Sequence, residues 1–139
     1  MRDAAGHRPD PANRGRVRRW EDKCSPQRIY ITALVAGIEM QGRLGMPGIG
    51  ACDRGFMGVS LVEPGWAAIT AGTLFGLDVP QIHYTLGTAL PLGSGSTGGC
   101  GSMAHVHEAG VPSRPGAFGA QLAASGFTSC PDCLDGGHS

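Results

Sequence analysis

Apolar positions along this chain gather into four blocks separated by glycine-rich joints. In the first, Ile31, Ala33, Leu34, Val35, Ala36, Ile38 and Met40 fall on most of a helix circumference rather than on one stripe, which predicts a buried central helix. Ser25-Pro26 supplies an N-cap and a proline at the first helical position, so this helix is expected over residues 26–44, and Gly45-Met46-Pro47-Gly48 is expected to end it. A loop then runs to about Val59. Small residues Ala67, Ala68, Ala71 and Gly72 alternate with Trp66, Ile69 and Leu74 in the second block, predicting a closely packed helix over 64–76 that stops at Gly76. Asp78 and Gln81 stand at N-cap and capping-box positions for a third helix over 78–90. A fourth covers 116–126, with Gly126 just past its end. Nothing in the pattern calls for a strand, so the fold class is all-α.

Residues 1–24 show no apolar period. Arg2, Arg8, Arg14, Arg16, Arg18 and Arg19 stand there against only Asp3 and Asp10, and the segment reads as a disordered Arg-rich arm before a helical domain over 25–139. It lacks the apolar core of a secretory signal and the serines of a transit peptide. Aromatic interleaving is limited to Trp20 and no reader motif follows, so nucleic acid is not an expected partner. No apolar run reaches the ~18 residues of a membrane span, and the formal net charge of zero gives no overall attraction to anionic surfaces. A soluble, cytoplasmic protein is expected.

The five cysteines, at 24, 52, 100, 130 and 133, are an odd number without a secretory signal, which argues for reduced thiols. Cys130-Pro131-Asp132-Cys133 is a single C-x-x-C where structural zinc wants four ligands. His105, His107 or His138 could complete such a site, so a small zinc-binding module stays as an alternative. The glycine loop from Gly93 to Gly101 lacks the spacing that cradles phosphates, His83 reads as a packed or surface residue, and Glu39 and Arg43 form a structural i,i+4 pair.

Most of the candidate chemistry falls between Met103 and Arg114. His105, His107, Glu108 and Arg114 stand on a Gly/Pro-broken loop that leads into the last helix. Arginine binds carboxylates bidentately, and imidazoles both donate hydrogen bonds and exchange protons near neutral pH. This is a candidate anion site; the alternative is a solvated loop with ordinary polar residues.

The ordered pieces Ala33-Leu-Val-Ala-Gly-Ile-Glu-Met-Gln-Gly-Arg-Leu44, Phe75-Gly-Leu-Asp78, Gly101-Ser-Met103, Glu108-Ala-Gly110, Arg114 and Gly126-Phe-Thr128 together resemble the MmgE/PrpD family over about residues 28–136. That family includes 2-methylcitrate dehydratase, cis-aconitate decarboxylase and related epimerases. The resemblance implies a partial helical bundle corresponding to the middle of the family's helical domain, without its α/β lid domain. It also implies a lyase or isomerase acting on small di- or tricarboxylic acids, homo-oligomers, and neither metal nor organic cofactor. His105 stands where the family has a lysine or histidine, and Arg114 matches the arginine that opens the following helix. The resemblance therefore makes His105 and His107 the catalytic candidates and Arg114 the substrate-binding one.

Four departures from the family pattern bear on activity. Glu108 replaces the histidine of the family's H-A-G, so His107 would have to serve from one position away. Met57 follows Phe56 where a histidine is expected, and residues 1–24 do not match the family's aspartate-rich segment. Pro112 and Pro115 enter a stretch that is helical in the family, at up to ~3 kcal/mol each inside a helix. The sequence is thus expected to be weakly active or inactive alone, the alternative being a non-catalytic remnant or oligomerisation fragment.

Overall fold

A computed structural model describes residues 25–108 and 110–135, with the backbone alone at residues 46–49. The expected Arg-rich arm and His138 lie outside the described residues. Ser25 caps the first helix, α1 (Pro26–Gly48), its Oγ accepting from the Arg28 amide at 3.4 Å. The helix runs four residues past its expected end before a 3-10 turn at Ile49–Arg54. Glycine weakens a helix interior by only about 1 kcal/mol, and Pro47 removes one ladder donor in the last turn, so these local breakers are overridden.

The second helix, α2 (Gly58–Leu74), begins six residues before the expected start and contains Pro64. Ser60, Glu63, Pro64, Gly65, Ala67, Ala68 and Gly72 are all buried on it, so tertiary packing outweighs the backbone bond that Pro64 cannot make. Gly76, with φ of 63°, ends it as expected, and the Leu77 amide reaches the Gly72 carbonyl at 3.0 Å. The third helix, α3 (Val79–Ala89), carries both bonds of the expected capping box, each at 3.0 Å between Asp78 and Gln81.

Met103–Glu108 forms a fourth helix, α4, where a loop was expected. The fifth, α5 (Arg114–Ala124), starts two residues early, and Gly126 follows it with φ of 95°. Pro115 lies at the start of α5 and Pro112 in the 3-10 turn Val111–Ser113, positions where proline loses no interior helix bond. The expected proline penalty is therefore absent there.

Gly116, Gly119, Ala120 and Ala123 form one buried edge of α5 at helical spacing, and this narrow edge lets α5 pack on both α2 and α3. Ala68, Leu86 and Ala89 make the core cluster, with Met40, Ile69, Ile82, Leu90 and Cys133 against it. Among the described residues there is no strand, only an isolated bridge between Phe56 and Ser96, and the fold is all-α.

α1 departs from expectation. It packs chiefly on α2, with Ala33 and Gly37 buried one turn apart at the contact. Tyr30, Ile31, Leu34, Val35 and Ile38 are exposed, Tyr30 by 61% and Val35 by 59%. One neighbour covers one face, so the helix is peripheral rather than central. Arg43 and Glu39 form the expected exposed pair at 2.8 Å. No described helix is long and apolar enough to cross a membrane.

Candidate functional site

Arg114 is the first residue of α5 and is exposed. Its backbone amide donates to the Val111 carbonyl, while its side chain makes no hydrogen bond or ion pair among the described residues. Its side chain borders an open pocket of about 360 Å³. The other walls are Leu92 and Ser94 from the segment after α3, Val111 and Pro112 from the 3-10 turn, and Pro115 and Phe118 from α5. Arg114 and Ser94 are thus the polar residues in an otherwise apolar lining. Pro112 and Pro115, two residues before Arg114 and one after it, each fix their own φ near the helical value and so stiffen the turn-to-helix joint.

The imidazoles sit on α4 and neither lines the pocket. His107 is exposed. His105 is half-buried, and its Nδ1 is buried without a hydrogen-bond partner among the described residues. The pocket therefore brings in Arg114 but neither candidate catalytic histidine.

Glu108 is turned toward Gly99: a Cβ on that glycine would lie 3.0 Å from both carboxylate oxygens. The absence of a side chain at position 99 leaves the space that Glu108 fills. Its Oε2 is buried without a hydrogen-bond partner among the described residues, while its main-chain carbonyl accepts from Ser60 Oγ at 3.0 Å. Ser60, on the first turn of α2, also touches the glycine loop, because a Cβ at Gly95 would meet Ser60 Cβ at 2.6 Å and Met57 Cβ at 3.0 Å. The Met57 amide donates to the Gly95 carbonyl at 3.1 Å. Met57, Gly95, Ser60 and Glu108 consequently form one neighbourhood, and Ser94 links it to the Arg114 pocket.

Glu63 was not foreseen from the sequence. It is only 3% exposed, one carboxylate oxygen accepts from Ser113 Oγ, and the other is buried without a partner among the described residues. Its signal was a single acid inside the apolar run Val59–Ala68, hidden because the helix was expected to begin one residue later. The bond ties α2 to the residue preceding Arg114.

Among the described residues no group of three or more His, Cys, Asp or Glu side chains is placed to hold a metal ion, so the zinc-module alternative gains no support. Cys133 instead packs against the core cluster.

A family model described as the MmgE/PrpD N-terminal domain matches residues 16–138. The chain belongs to the MmgE/PrpD family. The match begins upstream of the residue 28 at which the motif resemblance started. No curated protein and no solved structure matches the chain. In MmgE/PrpD terms, positions 57 and 108, two places where the resemblance expects a histidine that this chain lacks, are brought into one neighbourhood by Ser60 and Gly95 although they are far apart in sequence. Met57 and Glu108 occupy them here.

Proposed function

We propose that this MmgE/PrpD chain serves a lyase or isomerase reaction on a small carboxylic acid, a di- or tricarboxylate by the family resemblance. The observation that carries the reading is the unpaired Arg114 guanidinium at the rim of an apolar pocket. Arg114 receives one carboxylate bidentately while the carbon body lies against Leu92, Val111 and Phe118. Elimination or epimerisation next to that carboxylate needs a base to remove the α-proton and, for dehydration, an acid to protonate the departing hydroxyl. His105 or His107 fills these roles once α4 approaches the bound acid. The guanidinium stabilises the negative charge that develops on the carboxylate.

Calorimetric titration with citrate and cis-aconitate tests this reading. Arg114→Ala is expected to weaken binding at least about tenfold, or about 1.4 kcal/mol. Glu108→His removes a carboxylate and restores the family's residue, so it is expected to strengthen binding. Unchanged binding in both variants, or no binding by any form, refutes the reading. Formation of a conjugated double bond, followed by ultraviolet absorbance, then separates turnover from binding.

A second reading, a non-catalytic assembly module that forms homo-oligomers, is favoured by the exposed apolar stripe of α1. It predicts association without turnover in every variant.

A further inference from the structure

Cys130 and Cys133 stand on a turn whose two ends are anchored separately. Ser129 Oγ donates to the Tyr84 carbonyl at 2.7 Å, and the Cys130 carbonyl lies over Gly87, where any Cβ would collide with it. These contacts hold the Cys130 main chain beside α3. Cys133 is half-buried against Ala68, Leu86 and Ala89, which holds it at the core cluster. A turn opens directly after Cys130 and runs over residues 131–134, with Cys133 in it, and the Asp135 amide donates to the Asp132 carbonyl at 3.1 Å. Across a turn, residues three apart have Cα atoms within about 7 Å, and disulfides span about 4.4–6.8 Å. Both cysteines are free, and they differ in access: Cys130 is exposed and Cys133 is not fully so.

We infer that Cys130 and Cys133 are a thiol-modification site, closing to an intramolecular disulfide when the protein meets a low-molecular-weight disulfide such as oxidised glutathione. The exposed Cys130 thiolate attacks one sulfur of the small disulfide; that S–S bond breaks and one glutathione thiolate leaves. The Cys133 thiolate then attacks Cys130 Sγ and expels the second glutathione. The two protein thiols are oxidised, the small disulfide is reduced to two thiols, and the two protons released by the cysteines pass to the departing thiolates. Burial, followed by the nearby Cys130 charge, pushes the Cys133 thiol up, which suits it to the second, intramolecular step rather than to first attack. Closure staples the segment after α5 across the turn that covers Gly87.

The test uses the full chain, folded in buffer with excess oxidised glutathione, then alkylated, digested and mapped by mass spectrometry. The peptide holding Cys130 and Cys133 is expected to carry neither alkyl group nor glutathione and to be lighter by two hydrogens than the reduced peptide, and dithiothreitol is expected to reverse this. Cys133→Ala, which keeps an apolar side chain against the core, is expected to accumulate a glutathione adduct on Cys130. A lasting adduct on Cys130 in the unaltered chain, or an unreacted Cys130, overturns the inference. So does a bridge joining other cysteines, with Cys52 and Cys100 the rival pair because the Phe56–Ser96 bridge draws their loops together.

Discussion

Gly116 is the position where one added methyl group should do most damage. A Cβ there would lie 2.5 Å from the Ala68 amide nitrogen, 2.6 Å from the Pro64 carbonyl oxygen and 2.7 Å from Ala67 Cβ. Comfortable contacts between such atoms are about 3.5 Å, so each overlap approaches about 1 Å. Two of the three partners are backbone atoms of α2 and the third is a Cβ, so no rotamer change relieves the clash. α5 must lift from α2, loosening the buried edge formed by Gly119, Ala120 and Ala123. Overpacking of this kind costs about 1–3 kcal/mol. Replacing glycine in a helix returns about 0.5–1 kcal/mol, leaving a net loss of about 1 kcal/mol. Against a total stability of about 5–15 kcal/mol that is a large fraction. Urea unfolding followed by far-ultraviolet dichroism should show the midpoint falling by about 0.5 M, given slopes of about 1–3 kcal/mol per M. Gly42→Ala is the control, since nothing lies within 4 Å of a Cβ there, and it should stabilise by about 0.5–1 kcal/mol. If Gly116→Ala is as stable as the parent while Gly42→Ala behaves as stated, the close α2–α5 contact is refuted.

Ser113→Ala removes the one hydrogen bond that the described residues give to the buried Glu63 carboxylate and should destabilise the fold by about 1–3 kcal/mol in the same melts, whereas an unchanged midpoint would deny the link between α2 and the Arg114 turn. The exposed stripe on α1 should drive self-association, so Leu34→Glu with Val35→Lys is expected to lower the mass seen by light scattering; a monomeric parent chain would contradict this. Because burial raises the folded Cys133 thiol above its unfolded value, its contribution to stability is full below the unfolded thiol range and is lost as pH rises through the folded value. Thermal stability should therefore decline above about pH 8.5, and Cys133→Ala should flatten that decline; an identical pH profile in the variant would remove Cys133 as its source.

Helix ends with explicit local chemistry were legible in the sequence. Ser25, the Asp78–Gln81 box, Gly76 and Gly126 stand where the structure uses them, because a cap or a left-handed glycine is satisfied within four or five residues. The all-α class and the family followed from the same local order of helices and joints. Tertiary contacts decided the rest. Pro64 read as a helix start but lies inside α2, since burial of Ser60, Glu63 and Pro64 together outweighs one lost backbone bond. The apolar residues around α1 were read as a buried helix, yet burial depends on how many neighbours arrive, and α1 packs chiefly on α2. Of the site, Arg114 was legible as a cation at a helix start, and its pocket was not, because the pocket walls come from three segments. The burial of Glu63, the turning of Glu108 onto Gly99 and the meeting of Met57 with Glu108 around Ser60 are long-range placements that no pattern in the chain encodes locally.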